Sequence, residues 1–188
     1  MNELTNIPLL PEKPEIIAAR SHWQYTGDHR PSFAQETALG QESVWDFPRP
    51  PAQQHCAAKL EVYAGNQLIA ATYKGVRVIE TAGAPTYYFP PEDVDPYFVE
   101  YGELVSMCEW KGVAQTLSIA GVADAGWRYT QMFPAFTELY LWPSFYPTKL
   151  NCFVDGERVQ PQPGGYYGGW VTESLAGPIK GEPGSQGW

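Results

Sequence analysis

The rhythm of apolar and polar positions changes several times along this chain, and each change marks an element. Leu60-Glu61-Val62-Tyr63 and Leu68-Ile69-Ala70-Ala71 are apolar runs separated by Ala64-Gly65-Asn66-Gln67, a turn chemistry that predicts a β-hairpin. Val76-Arg77-Val78-Ile79-Glu80-Thr81 alternates with a period of two and predicts a further strand. Residues 104–108, 113–119 and 151–154 read the same way, and Asp155-Gly156 predicts a tight turn into Glu157-Arg158-Val159. Residues 85–91 form a turn-rich aromatic segment, after which Glu92, Asp93 and Asp95 place negative charge where a short helix would begin. Short strands and frequent turns predict a single mainly β domain over residues 52–188, with one or two short helices and no internal repeat.

Residues 1–51 lack such a rhythm. They form a Pro-rich, polar, irregular N-terminal arm with Trp23, Tyr25, Phe33, Trp45 and Phe47 as scattered aromatics. A segment of this kind cannot build its own core. Its aromatics predict that it lies across the main domain, with Pro48-Arg49-Pro50-Pro51 as an extended strap into it. Near the other end, Gly168-Gly169-Trp170 predicts a close backbone approach to a neighbouring surface, because glycine has no Cβ to obstruct it.

Composition narrows the partners. The 188 residues carry a formal net charge of −9 with a pI near 4.7. That charge opposes a phosphate backbone, so no nucleic-acid partner is expected. Cys56, Cys108 and Cys152 are an odd, widely spaced set without a C-x-x-C pair, which argues against a disulfide framework and a zinc cage. The start lacks the basic and apolar regions of a signal peptide. No apolar run approaches the roughly 20 residues needed to cross a bilayer. A soluble, cytoplasmic protein with no membrane partner is expected.

Several motifs together carry a family resemblance. They are Thr86-Tyr87-Tyr88-Phe89-Pro90-Pro91-Glu92-Asp93-Val94, Cys108-Glu109-Trp110-Lys111-Gly112, Trp127-Arg128-Tyr129 followed by Phe133-Pro134, Pro163-Gly164-Gly165-Tyr166-Tyr167-Gly168-Gly169-Trp170, and Gly177-Pro178-Ile179-Lys180-Gly181. Over roughly residues 42–188 the chain resembles the bacterial domain-of-unknown-function family 427, whose members are sometimes labelled nucleotidyltransferase-like. The resemblance implies a β-tent, a pair of antiparallel sheets pinned at one edge. Some similar folds hold zinc through paired cysteines. Those pairs are missing here, so neither zinc nor another cofactor is expected.

Aromatics supply the main chemical signal. Tyr88, Trp110, Trp127 and Tyr129 belong to a set larger than a core needs, and such side chains suit a small-ligand pocket or a cation cage. The expected site is an aromatic-lined cleft formed by Glu80, Tyr88, Cys108, Trp110, Lys111, Trp127 and Tyr129, with Glu80, Lys111 or Arg128 as the polar contact. It would bind an unidentified small molecule or protein. The aromatic surface also suits assembly into a homo-oligomer.

The alternative is an enzyme. A thiol-dependent redox protein would use Cys108 with Lys111 as the activating cation. Strand alternation, however, puts Lys111 on the face opposite Cys108 and Trp110 unless Gly112 or a bulge turns the backbone. A metal-assisted nucleotidyltransferase would use Asp93 and Asp95, whose D-x-D spacing can grip divalent ions. His22, His29 and His55 lie apart from these motifs and read as solvated. Glu80 either faces a pocket or pairs with Arg77 or Lys74 at the surface.

Overall fold

The computed structural model describes residues 6–188; residues 1–5 of the predicted arm lie outside the described residues. The described residues of the arm contain one α-helix, α1 (Pro14–Arg20), and a 3-10 turn at Val44–Asp46. Pro14 is preset for the first helical turn, while Glu15 and Arg20 stand at the dipole ends that suit their charges. No residue of α1 is buried; Arg20 at its end joins the domain by donating to the Glu109 carbonyl at 2.7 Å, and before it Leu10 N donates to the Met132 carbonyl.

Fifteen strands follow in chain order. The first eight are β1 (Glu42–Ser43), β2 (Ala52–Cys56), β3 (Leu60–Ala64), β4 (Gln67–Thr72), β5 (Gly75–Ile79), β6 (Thr86–Tyr88), β7 (Val99–Cys108) and β8 (Gly112–Ile119). The rest are β9 (Val122–Met132), β10 (Ser144–Phe145), β11 (Asn151–Val154), β12 (Glu157–Arg158), β13 (Gln160–Pro161), β14 (Trp170–Val171) and β15 (Leu175–Ala176). The protein is mainly β. Two four-stranded antiparallel sheets, ordered β10-β9-β8-β7 and β12-β11-β3-β4, are joined by a three-stranded antiparallel sheet ordered β2-β5-β6. Two small ladders, β13 with β14 and the parallel pair β1 with β15, fasten the tail.

Both predicted hairpins form. Gly65 takes a left-handed φ between β3 and β4, and Asp155 and Gly156 both do so between β11 and β12. The helix expected after Pro91 does not extend. It is replaced by two 3-10 turns, Pro91–Asp93 and Pro96–Phe98, because Pro96 has no amide hydrogen to donate and forces Asp95 out of the helical region. β9 is the longest strand, yet no alternation announces it, and its pairing with β8 shifts register twice.

The β7–β10 sheet serves two cores. Leu117 and Ile119 of β8 and Ala125 of β9 pack with Leu60, Val62, Ile69 and Cys152 into the first. Ala114 of β8 with Trp127, Tyr129 and Met132 of β9 pack against Val76, Val78 and Tyr88 in the second. Neighbouring residues of β6 divide between them, Tyr87 entering the first and Tyr88 the second, as strand alternation requires. A third cluster joins arm to tail, with Val44, Trp45 and Phe47 packed beside Ile79 and Ala82 and against Tyr25, Ile179 and Trp188. Among the described residues no helix is long and apolar enough to cross a membrane.

Candidate functional site

The second core is incomplete, and where it opens there is a cleft of about 590 Å³, within the range of small-molecule sites. The turn Glu109–Lys111 between β7 and β8 builds one wall. Gly112 closes this turn with φ +135°, and a Cβ there would lie 2.0 Å from the Gln131 carbonyl oxygen. Only glycine suits that conformation and that approach. The strand ends at Cys108, so alternation no longer governs the next residues. Lys111 therefore reaches the same cleft as Cys108 and Trp110 and not the opposite face.

Trp127 and Tyr129, two residues apart on β9, present side chains to the same side, and Tyr88 enters from β6. The Trp127 ring lies 4.5 Å from that of Tyr146, and Tyr88 meets Trp127 edge-on at 6.2 Å, arrangements that aromatic quadrupoles favour. Gly168 passes flat over Trp127, where a Cβ would fall 2.1 Å from the indole. This is the close approach predicted for Gly168-Gly169.

The arm and tail complete the mouth. Trp23 donates from Nε1 to Glu109 Oε1 at 3.0 Å, and Arg20 donates from Nε to the Glu109 carbonyl at 2.7 Å. Both Arg49 and Lys180 stand over the Trp23 ring, at 4.6 and 3.4 Å from its centroid. Gln162 ties the strand-exit loop to the tail by accepting from Ala84 N at 3.0 Å and donating to the Lys180 carbonyl at 2.9 Å.

The polar groups of the cleft are unevenly satisfied. Glu80 pairs with neither Arg77 nor Lys74; its Oε1 accepts from Arg49 Nε at 3.0 Å, while Arg77 pairs with Glu42. Arg49 also donates to the carbonyls of Tyr25 and Thr81. Lys111, 8% exposed, meets no acceptor in hydrogen-bonding range among the described residues. Burial alone would lower its ammonium pKa, but Cys108, Tyr88, Glu80 and Glu109 outweigh burial and hold it above the ordinary lysine value. Burial pulls Lys180 down to about 8, against the pull of Glu80. Tyr88 Oη and Trp110 Nε1 are sealed and have no partner among the described residues. The Tyr88 hydroxyl has Thr86, Trp127 and Tyr129 nearby but meets none of them in hydrogen-bonding geometry. Burial raises the pKa of Tyr88 and Tyr129, so both phenols stay protonated.

Glu80, Tyr88, Cys108, Trp110, Lys111, Trp127 and Tyr129 thus all line one cleft. Arg128 does not; its guanidinium covers the Tyr101 ring at 3.8 Å and donates to Gln115. Asp93 and Asp95 also lie outside the cleft lining. Asp93 accepts from the Thr72 hydroxyl at 2.7 Å, and Asp95 caps the second 3-10 turn by accepting from Tyr97 N at 3.0 Å. Among the described residues no three His, Cys, Asp or Glu side chains gather as a metal site would need. His22, His29 and His55 are exposed. Tyr146 and Tyr167, of the same surplus of aromatics, also line the cleft, as do Trp23, Arg49, Gln162 and Lys180, which the sequence reading did not place there. Lys180 had a signal in Gly177-Pro178-Ile179-Lys180-Gly181; Trp23 had only its presence in an otherwise polar arm.

Fold and site together define a mainly β protein with an aromatic cleft of small-molecule size between its sheets. The chain belongs to the family described as Domain of unknown function (DUF427), whose family model matches residues 52–159. No curated protein matches the sequence.

Proposed function

We propose that this protein binds a small molecule in the aromatic cleft. The observation that carries the reading is the coincidence of a cavity of about 590 Å³ with buried donors that find no partner among the described residues, Tyr88 Oη and Trp110 Nε1. Each such atom costs roughly 1–3 kcal/mol if left unpaired, a cost that a ligand offsets if it draws either side chain toward the cleft. Cys56, Cys108 and Cys152 are free thiols, which suits a reducing compartment such as the cytoplasm.

The test is a thermal-shift screen of the full chain against metabolites and nucleotides, since any ligand that prefers the folded state raises the melting temperature. A reproducible rise in the wild type that disappears in Trp110→Ala is the expected result. A rise that persists in Trp110→Ala places binding elsewhere, and silence across a broad library argues for contact with another protein.

A thiol-dependent activity is the second reading, favoured by Cys108 and Lys111 lining the same cleft. It requires Cys108 to react with a small disulfide faster than the buried Cys152 by orders of magnitude. Equal, slow labelling of the two would remove it.

A further inference from the structure

We infer that the cleft accepts a small planar aromatic ligand bearing an oxyanion such as a carboxylate, with its ring against Trp127 and Tyr129 and its charged end at Lys111. The inference rests on the reading of the cleft as a small-molecule site and adds the chemistry of the ligand.

The argument begins with what the cleft has left over. Its central carboxylates are engaged, Glu80 by Arg49 and Glu109 by the Trp23 indole, at 3.0 Å each. Most of its cations are engaged too. Arg49 distributes its nitrogens over Glu80 and two carbonyls. Lys180 donates to the Trp188 main-chain oxygen at 3.2 Å while covering Trp23, and Lys149 donates to the Ala123 carbonyl at 2.7 Å. Lys111 remains, and behind it Trp110 Nε1 and Tyr88 Oη, which are sealed and meet an occupant only if their side chains turn. The first two can only donate hydrogen bonds, and the third can donate. A surplus of donors, one of them charged, calls for a partner rich in acceptors and negative in charge. Glu80 and Glu109 offset the burial of this ammonium without touching it, and an oxyanion would add the contact they lack as the stronger, charge-assisted class of hydrogen bond.

The walls define the rest of the ligand. Tyr88, Trp127, Tyr129 and Tyr146 offer faces and edges of rings, which pack best against another flat ring. Aromatic walls also attract organic cations. Here the Trp23 face already carries Arg49 and Lys180, and a second cation at Lys111 would meet like charge.

The experiment is calorimetric titration of the full chain with benzoate, nicotinate and 2-naphthoate, each beside its neutral amide, and with benzylamine. At least one acid is expected to bind about tenfold or more tightly than its amide, the ratio that one charge-assisted hydrogen bond supplies. Lys111→Met should abolish that preference while leaving amide affinity within about twofold, and Tyr88→Phe should reduce it in part. Tyr88→Phe also serves as the check should Lys111→Met fail to fold. Amides or benzylamine binding as well as the acids, or Lys111→Met weakening acid and amide equally, overturns the oxyanion while the cleft stands as a binding site. Absence of binding by every probe at millimolar concentration overturns the ligand class, and the broader cleft reading then rests on its own screen.

Discussion

Two buried tryptophans show how differently the halves of this molecule are finished. Trp170 in the first core is fully buried, and its Nε1 donates to the Phe145 carbonyl at 2.9 Å. Trp110 beside the cleft is also buried, and its Nε1 meets no acceptor. Tyr87 and Tyr88 repeat the contrast on adjacent residues of one strand, since only the hydroxyl of Tyr88 is sealed without a partner. A core is finished when its polar atoms are paired, because each unpaired one weighs against folding. Two such donors stand beside the cavity, and they are what the proposed ligand would have to answer.

The contrast can be tested from both sides. Trp170→Ala should destabilise the protein by about 3–5 kcal/mol through lost burial and the cavity left behind, measured by urea denaturation. A loss under ~1 kcal/mol would mean that the first core is not closed. Gly112→Ala meets both a left-handed φ and the Gln131 carbonyl. It should cost roughly 1–3 kcal/mol and displace the Glu109–Lys111 turn, so that ligand-induced thermal shifts vanish while the fold, followed by circular dichroism, persists.

Tyr88→Phe sharpens the comparison most directly. It removes an unpaired hydroxyl and should leave stability unchanged or raise it by about 1 kcal/mol. A loss of similar size would show that the hydroxyl is paired after all.

The smallest effect is alkaline. Burial raises the Cys152 thiol well above its ordinary 9.0 and the Tyr87 phenol from 10.0 to about 12. Below those ordinary values both states hold the protons and there is no slope. Above them the unfolded chain ionises first and binds fewer protons, so stability falls as pH rises beyond 9.0 for Cys152 and 10.0 for Tyr87. Lys180, lowered from 10.5 to about 8, contributes the opposite slope between those values. Denaturation curves at several pH values for wild type and Cys152→Ala isolate the thiol, and a decline equally steep in the variant would deny its part.

The fold was legible wherever local chemistry fixed it. Gly65-Asn66 and Asp155-Gly156 announce their hairpins, and the alternation in residues 76–81 marks β5. β9 was not legible, because Gly126, Asp124 and the register shifts against β8 break its pattern. Strand alternation alone would have sent Lys111 to the far face; the exception allowed for, a backbone turned at Gly112, is what places it in the cleft. Seven cleft residues could be nominated because their types are unusual in number and kind. The mouth could not, since Trp23, Gln162 and Lys180 converge from distant parts of the chain.

That convergence bears on what related sequences share. The family match ends at residues 52 and 159, so it includes Tyr88, Trp110, Lys111, Trp127 and Tyr129 but omits Trp23, Arg49, Gln162, Tyr167 and Lys180. The match thus spans the floor of the cleft and stops short of its entrance. If the cleft binds a ligand as proposed, changes in the segments outside the match would alter which length and outline of molecule is admitted while leaving the floor that holds its far end.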